Sequence, residues 1–192
     1  MHIAIEGLDG VGKTTIAKEL AKRLNFKFID KPFKFITDKE DSIENYLEIT
    51  KKVNRQMSPV IKRLFYGIGN ILLKEKFQDD NIITDRHLVS NYFCNTNGKQ
   101  DDIFEILLKY SSIPKITFLI YADENVRKQR MIERNPLDED IKKVNTLDNP
   151  YEKMKNYLEI NNMEYVLIDN TYLECNESVE KIISILKEKK II

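Results

Sequence analysis

The sequence predicts an α/β protein, a three-layer sandwich in which a five-stranded parallel sheet is flanked by helices. Three observations predict it. Short, nearly continuous apolar runs recur at residues 2–6, 26–29, 82–84, 115–121 and 165–168, the pattern of strands buried on both faces. Stretches of helical periodicity separate the runs, as crossovers between parallel strands require. The first run ends in Gly7-Leu8-Asp9-Gly10-Val11-Gly12-Lys13-Thr14, a glycine-rich turn that joins a strand to a helix.

The elements follow in order. Residues 2–6 form the first strand, and 13–24 a helix with Ile16, Leu20 and Leu24 on one face. A short strand at 26–29 runs into a turn at Lys31-Pro32. Helices are expected over 40–51, with Ile43, Leu47 and Ile49 inward, and over 55–77, with Val60, Leu64, Ile68 and Leu72 along the packed side. Pro59 sits near the start of the second, where a missing N–H costs least. Ile82-Ile83-Thr84 is a strand ending at Asp85, residues 101–110 a helix, and the β-branched and aromatic run 115–121 a buried strand. Helices at 124–134 and 150–161, a strand at 165–168 and a helix at 176–189 complete the chain. Ligands of such sheets bind beyond the carboxyl ends of the strands, where Glu6, Asp30, Asp85 and Asp123 fall.

A chain of 192 residues suits one domain, expected over 1–192. Its 31 basic and 31 acidic residues balance, which argues against nucleic acid or an anionic membrane as the main partner. Cys94 and Cys175 lack metal spacing or a disulfide framework and suit a reducing compartment. Met1 leads straight into a strand and no apolar run is long enough to span a bilayer, so a cytoplasmic protein is expected.

The glycine-rich turn carries the chemistry. Glycine allows positive φ and lets main-chain N–H groups crowd one point. The N-terminus of the following helix adds unsatisfied donors and partial positive charge. The spacing G-x-x-x-x-G-K-[ST] places Gly7, Asp9, Gly10, Val11, Gly12, Lys13, Thr14 and Thr15 around the phosphates of a nucleotide, as in P-loop NTP hydrolase-like folds. Lys13 reaches the β- and γ-phosphates and the Thr14 hydroxyl reaches Mg²⁺. Arg127, Arg130 and Arg134 share one helix face. The polar stretch after them, bounded by Asn135-Pro136 and Asn149-Pro150, reads as a lid at about 134–150.

"EGLDGVGKTT" and "TDRHLVSNYF" together resemble the thymidylate kinase family, and "IPKITFLI", "YEKMKNYLEI" and "YVLIDNT" extend the likeness along nearly the whole chain. The resemblance implies transfer of the ATP γ-phosphoryl group to a deoxynucleoside monophosphate, dTMP foremost. It implies that Arg86 grips the acceptor phosphate, that Asp85 and Thr14 hold magnesium and its water, and that Asp9 accepts from the sugar 3′-hydroxyl. Arg130 and Arg134 would supply the lid cation that meets the transferring group. Of the aromatics Phe33, Phe35, Phe65, Tyr66 and Tyr92, Phe65 is expected to stack on the base; the resemblance implies that Asn95 touches it and that the protein is a homodimer joined through helices on one sheet face.

The sequence also departs from the family. Gly69 in "LFYGIGN" stands where the family carries a base-reading arginine, unless Arg55 or Arg63 substitutes. Asp30-Lys31-Pro32 replaces Arg-Glu-Pro, and His87 replaces a tyrosine. "DRH" also resembles viral thymidine kinases, whose free nucleoside acceptor needs a general base, for which only Asp30 offers itself. A kinase of free deoxynucleosides and a catalytically degenerate nucleotide-binding protein therefore stay open as alternatives.

Overall fold

The computed structural model describes residues 1–39, 42–96 and 102–192. Five parallel strands, β1 (His2–Gly7), β2 (Lys27–Ile29), β3 (Ile82–Asp85), β4 (Ile116–Tyr121) and β5 (Tyr165–Asp169), form one sheet in the order β2-β3-β1-β4-β5. The strands lie within about one residue of the apolar runs that predict them. Continuous burial explains this: every residue of β1 and β3 is buried, so no polar face interrupts either run.

Helices α1 (Lys13–Leu24) and α9 (Cys175–Glu188) pack together and send Ile16, Leu20, Val179, Ile182 and Leu186 into the core. A second set comprises α4 (Pro59–Phe77), α5 (Leu88–Asn95), α6 (Asp102–Tyr110) and α8 (Pro150–Ile160), with α5 packed against both α4 and α8. Tyr92 and Tyr157 stack at its centre and Phe104 meets both edge-on. The short α2 (Lys34–Thr37) and α3 (Glu44–Gln56) lie beside α4, and α7 (Glu124–Arg134) leads into a 3-10 segment, Glu139–Thr146.

Two helices depart from their expected spans and faces. The helix expected over 40–51 spans Glu44–Gln56; the expected starts at 40 and 101 lie outside the described residues. Its buried side chains are Tyr46 and Val53, whereas Leu47 and Ile49 are exposed. The following helix begins at Pro59, capped by Ser58, whose hydroxyl accepts from the N–H of Ile61. Its packed side holds Phe65, Gly67, Gly69, Asn70 and Leu73, while Val60, Leu64 and Ile68 face outward. The reason is close approach. A Cβ on Gly67 would lie 2.7 Å from Leu107 Cδ1 of α6, and one on Gly69 would lie 3.2 Å from Pro32 Cγ and 3.4 Å from the Phe33 nitrogen. A face packed through glycine carries no apolar stripe.

β1 lies between β3 and β4, so the chain reverses its winding direction at the carboxyl end of β1. The register sets Ile5 beside Asp85 and Gly7 beside Ile120. Arg86 after β3, Arg127 on the helix after β4 and Asn170 after β5 therefore all meet residues 9–11.

Candidate active site

The loop leaves β1 at Gly7. Gly10 and Gly12 have φ of 84° and 96°, and Val11 between them does not, an alternation of handedness that makes a concave nest of N–H groups. Clearance also demands glycine there: a Cβ on Gly10 would lie 2.6 Å from the Arg127 carbonyl oxygen, and one on Gly12 would lie 3.0 Å from Asn170 Nδ2. Among the described residues no acceptor takes the N–H of Gly10, Val11 or Gly12. Carbonyls of the loop are held by donors: Leu8 by Lys13 Nζ at 2.6 Å, Asp9 by Arg127 Nε at 2.9 Å, Val11 by Asn170 Nδ2 at 2.7 Å.

Lys13 is buried, and its ammonium is pushed down to about 8, first by burial and then by the nearby Arg86 charge. Thr14 Oγ1 donates to Asp85 Oδ2. The other carboxylate oxygen of Asp85 is buried without a hydrogen-bond partner. A hydroxyl and an orphaned carboxylate oxygen at the mouth of a phosphate loop fit a Mg²⁺ ion that draws its remaining ligands from phosphate and water. Among the described residues no cluster of three or more His, Cys, Asp or Glu competes as a metal site.

Arg86 follows Asp85 in the left-handed region, φ 72°, a conformation that costs a non-glycine residue about 1 kcal/mol or more. Its N–H donates to Ile5 O at 3.0 Å, Nη1 to Ser90 Oγ at 3.0 Å, and Nη2 to the Asp9 carboxylate. Behind it Glu6, fully buried, accepts from the N–H groups of His87 and Ser90 and from the Ser90 hydroxyl. Burial pushes the Glu6 carboxyl up against the pull of these bonds and of Arg86. Burial also opposes ionisation of Asp9, but Arg86, Lys13 and, farther off, Arg134 hold its carboxyl below the usual range. Asp9 Oδ1 stands 3.9 Å from Lys13 Nζ, so one carboxylate spans both cations.

The three arginines of α7 divide. Arg127 is buried and belongs to the loop; Arg130 donates from Nη2 to the Asn170 carbonyl at 3.1 Å; Arg134 is exposed and pairs with Asp138 at 2.7 Å. Thr14 and Thr15 line a cavity of about 370 Å³ with Lys18, Glu19, Lys22, Cys175 and Asn176. Away from the loop, Phe65 sits in an aromatic cluster, its ring 4.7 Å from Phe33 and 5.2 Å from Tyr66. Asn95 spends its amide nitrogen on Asn91, at 3.2 Å to the carbonyl and 3.0 Å to the side chain, and its carbonyl accepts from Arg63 Nη1 at 2.9 Å. Arg55, by contrast, is exposed and 3.8 Å from Glu139. His87 is buried, with no hydrogen bond to either ring nitrogen, its ring edge-on to His2 with centroids 4.9 Å apart. Asp30 pairs with Lys31. Sequence reasoning passed over Asn170; nothing local distinguishes an asparagine after a strand.

A family model described as thymidylate kinase matches residues 5–182, which takes in the loop, Asp85-Arg86 and α7. The chain belongs to the thymidylate kinase family. Similar sequences include a cytidylate kinase of Mycoplasmopsis synoviae, 27% identical over 97% of this chain and 98% of that protein. A probable thymidylate kinase of Methanocaldococcus jannaschii is 25% identical over 97% and 96%. Among solved structures, the thymidylate kinase of Ehrlichia chaffeensis superposes with a TM-score of 0.65 at 19% identity, over 97% of this chain and 98% of that one. As a thymidylate kinase family member the protein is a nucleoside monophosphate kinase, and the fold places the family's two specific motifs, "EGLDGVGKTT" and "TDRH", side by side at the ends of β1 and β3.

Proposed function

We propose that the protein transfers the γ-phosphoryl group of ATP to the phosphate of a deoxynucleoside monophosphate, with dTMP the first acceptor to test. The observation that carries this reading is the Lys13–Asp9–Arg86 bridge, which sets a donor-side and an acceptor-side cation against one carboxylate. Two polyanions must be brought together, so positioning and charge neutralisation supply most of the catalysis. The free N–H groups of residues 10–12 and Lys13 take the donor phosphates, and the cavity beside Thr15 leaves room for the donor's nucleoside end. Thr14 and Asp85 would hold Mg²⁺, which would supply positive charge to offset that of the donor phosphates. Arg86 takes the acceptor phosphate with a planar fork already held by Asp9 and Ser90. Arg130 and Arg134 close over the transferring group from α7.

A monophosphate acceptor is ionised and needs no general base. The nucleoside alternative does need one, and Asp30, its one candidate, is held in an ion pair with Lys31. Base recognition without the family's arginine is consistent with the room filled at Gly69 by Pro32 and Phe33. The same reading makes the protein a cytoplasmic homodimer. Val60, Leu64 and Ile68 of α4 and Ile106 and Tyr110 of α6 are exposed on two adjoining helices, and covering them by a second copy suits that face. Among the described residues no helix is long and apolar enough to cross a membrane.

A coupled ADP-release assay over dTMP, dUMP, dCMP, CMP, dAMP, dGMP and thymidine tests the proposal. Turnover of a monophosphate faster than of thymidine supports it; thymidine turning over faster than every monophosphate removes it.

A further inference from the structure

A loop that turns its N–H groups inward turns its carbonyls outward, and an outward carbonyl that is buried needs a donor. Lys13 and Arg127 supply two of these donors as full charges. The third carbonyl, Val11, receives a neutral side-chain amide from 159 residues away, that of Asn170.

Asn170 is 4% exposed and held at every polar atom. Its N–H extends the β4–β5 ladder to Tyr121 O at 2.8 Å. Its carbonyl seats Arg130 at 3.1 Å. Its Oδ1 accepts from Ser178 Oγ, on α9, at 2.5 Å, and its Nδ2 donates to Val11 O at 2.7 Å. The amide has one possible orientation: the Val11 carbonyl can only accept, so nitrogen must face it, and Ser178 must donate to the oxygen.

The peptide so held is one that can turn over. Rotating the Val11–Gly12 peptide about its own axis alters only Val11 ψ and Gly12 φ, and glycine tolerates either sign. The rotated peptide would aim a carbonyl where the nest needs the Gly12 N–H, replacing a phosphate donor with a repelling acceptor.

We propose that Asn170 is a positioning residue of the phosphate loop, locking the Val11–Gly12 peptide with its N–H toward the donor's polyphosphate. The inference rests on the phosphate-binding reading of the loop and adds a residue to it.

The test uses the whole protein and two probes, Mg·ATP and magnesium tripolyphosphate, titrated calorimetrically against wild type, Asn170→Asp and Ser178→Ala. Steady-state KM values for ATP and for the acceptor accompany the titrations. Asn170→Asp sets an acceptor against the Val11 carbonyl, and affinity for both probes should fall tenfold or more, with acceptor KM within twofold of wild type. Ser178→Ala should lose affinity in the same order, by about threefold, with its melting temperature reporting an intact fold. Affinity for tripolyphosphate within twofold of wild type in a folded Asn170→Asp, or in Ser178→Ala should the first not fold, overturns the proposal. Equal losses in ATP and acceptor KM also overturn it, since a general structural role would move both. Wild type binding neither probe would remove the phosphate-loop reading itself, and the proposal with it.

Discussion

Glu6, on β1, accepts from the N–H groups of His87 at 2.7 Å and Ser90 at 3.2 Å, so a strand residue caps a helix that begins 82 positions later. His87, the residue before α5, offers no side-chain cap of its own. The same carboxylate accepts from the Ser90 hydroxyl, which in turn receives Arg86 Nη1. The cap and the Arg86 guanidinium thus share one anchor. Glu6→Ala leaves buried donors unmet and should cost about 3 kcal/mol or more, read from urea denaturation. Glu6→Gln keeps an oxygen for the two N–H groups and should recover most of that loss.

Lys13 gives the site a dependence on pH. In the free protein its ammonium titrates near 8, lowered by burial and by Arg86. A bound polyphosphate favours the charged form, so its pKa rises on binding. Below pH 8 the lysine is charged in both states and ATP affinity should be flat; as pH rises through 8, binding must take up a proton and affinity should fall. Calorimetry at pH 9 in two buffers of different ionisation enthalpy should show uptake of about one proton.

The His2–His87 pair sets an acid limit. Burial holds His2 near 3 and His87 well below its ordinary value, with His2 adding to the effect on His87. Unfolded, both titrate near 6.5. Between these values the unfolded chain binds more protons, so stability rises with pH there and drains as pH falls below 6.5. The loss should approach about 1.4 kcal/mol per pH unit for each histidine. Glu6, whose carboxyl is raised by burial, works in the opposite sense and is common to wild type and variant. His87→Phe removes one histidine and two unpartnered nitrogens, so its melting temperature should fall less steeply between pH 7 and 5.

The outward face of α4 predicts an assembly. Ile68→Glu places a charge amid Leu64 and Val60 of the same helix, all exposed in the single chain. Light scattering after gel filtration should show wild type as a dimer and this variant as a monomer. Its thermal midpoint at low concentration should match that of dissociated wild type.

Much of this was legible in the sequence because it is local. Strands buried on both faces announce themselves as apolar runs, and the phosphate loop is contiguous. What was hidden depends on distant residues. Helix α5 has five consecutive buried residues, Leu88 to Tyr92, so it shows no helical stripe, and its cap comes from β1. The packed face of α4 is defined by Gly67 and Gly69, absences that hydrophobic periodicity cannot register. The Arg86–Ser90 contact lay within one motif and could be anticipated; the Asn170–Val11 contact joins the two ends of the chain and could not.

The strand order has a consequence for how the chain is made. Both β1 and β2 hydrogen-bond to β3, and neither to the other. An emerging nascent polypeptide therefore holds no sheet until residues 82–85 clear the ribosome, and β1 lacks its second neighbour until 116–121 follow. Of the five strands, β1 and β2 wait longest for partners, which makes the interval before β3 emerges the point of greatest exposure to aggregation and to chaperone capture.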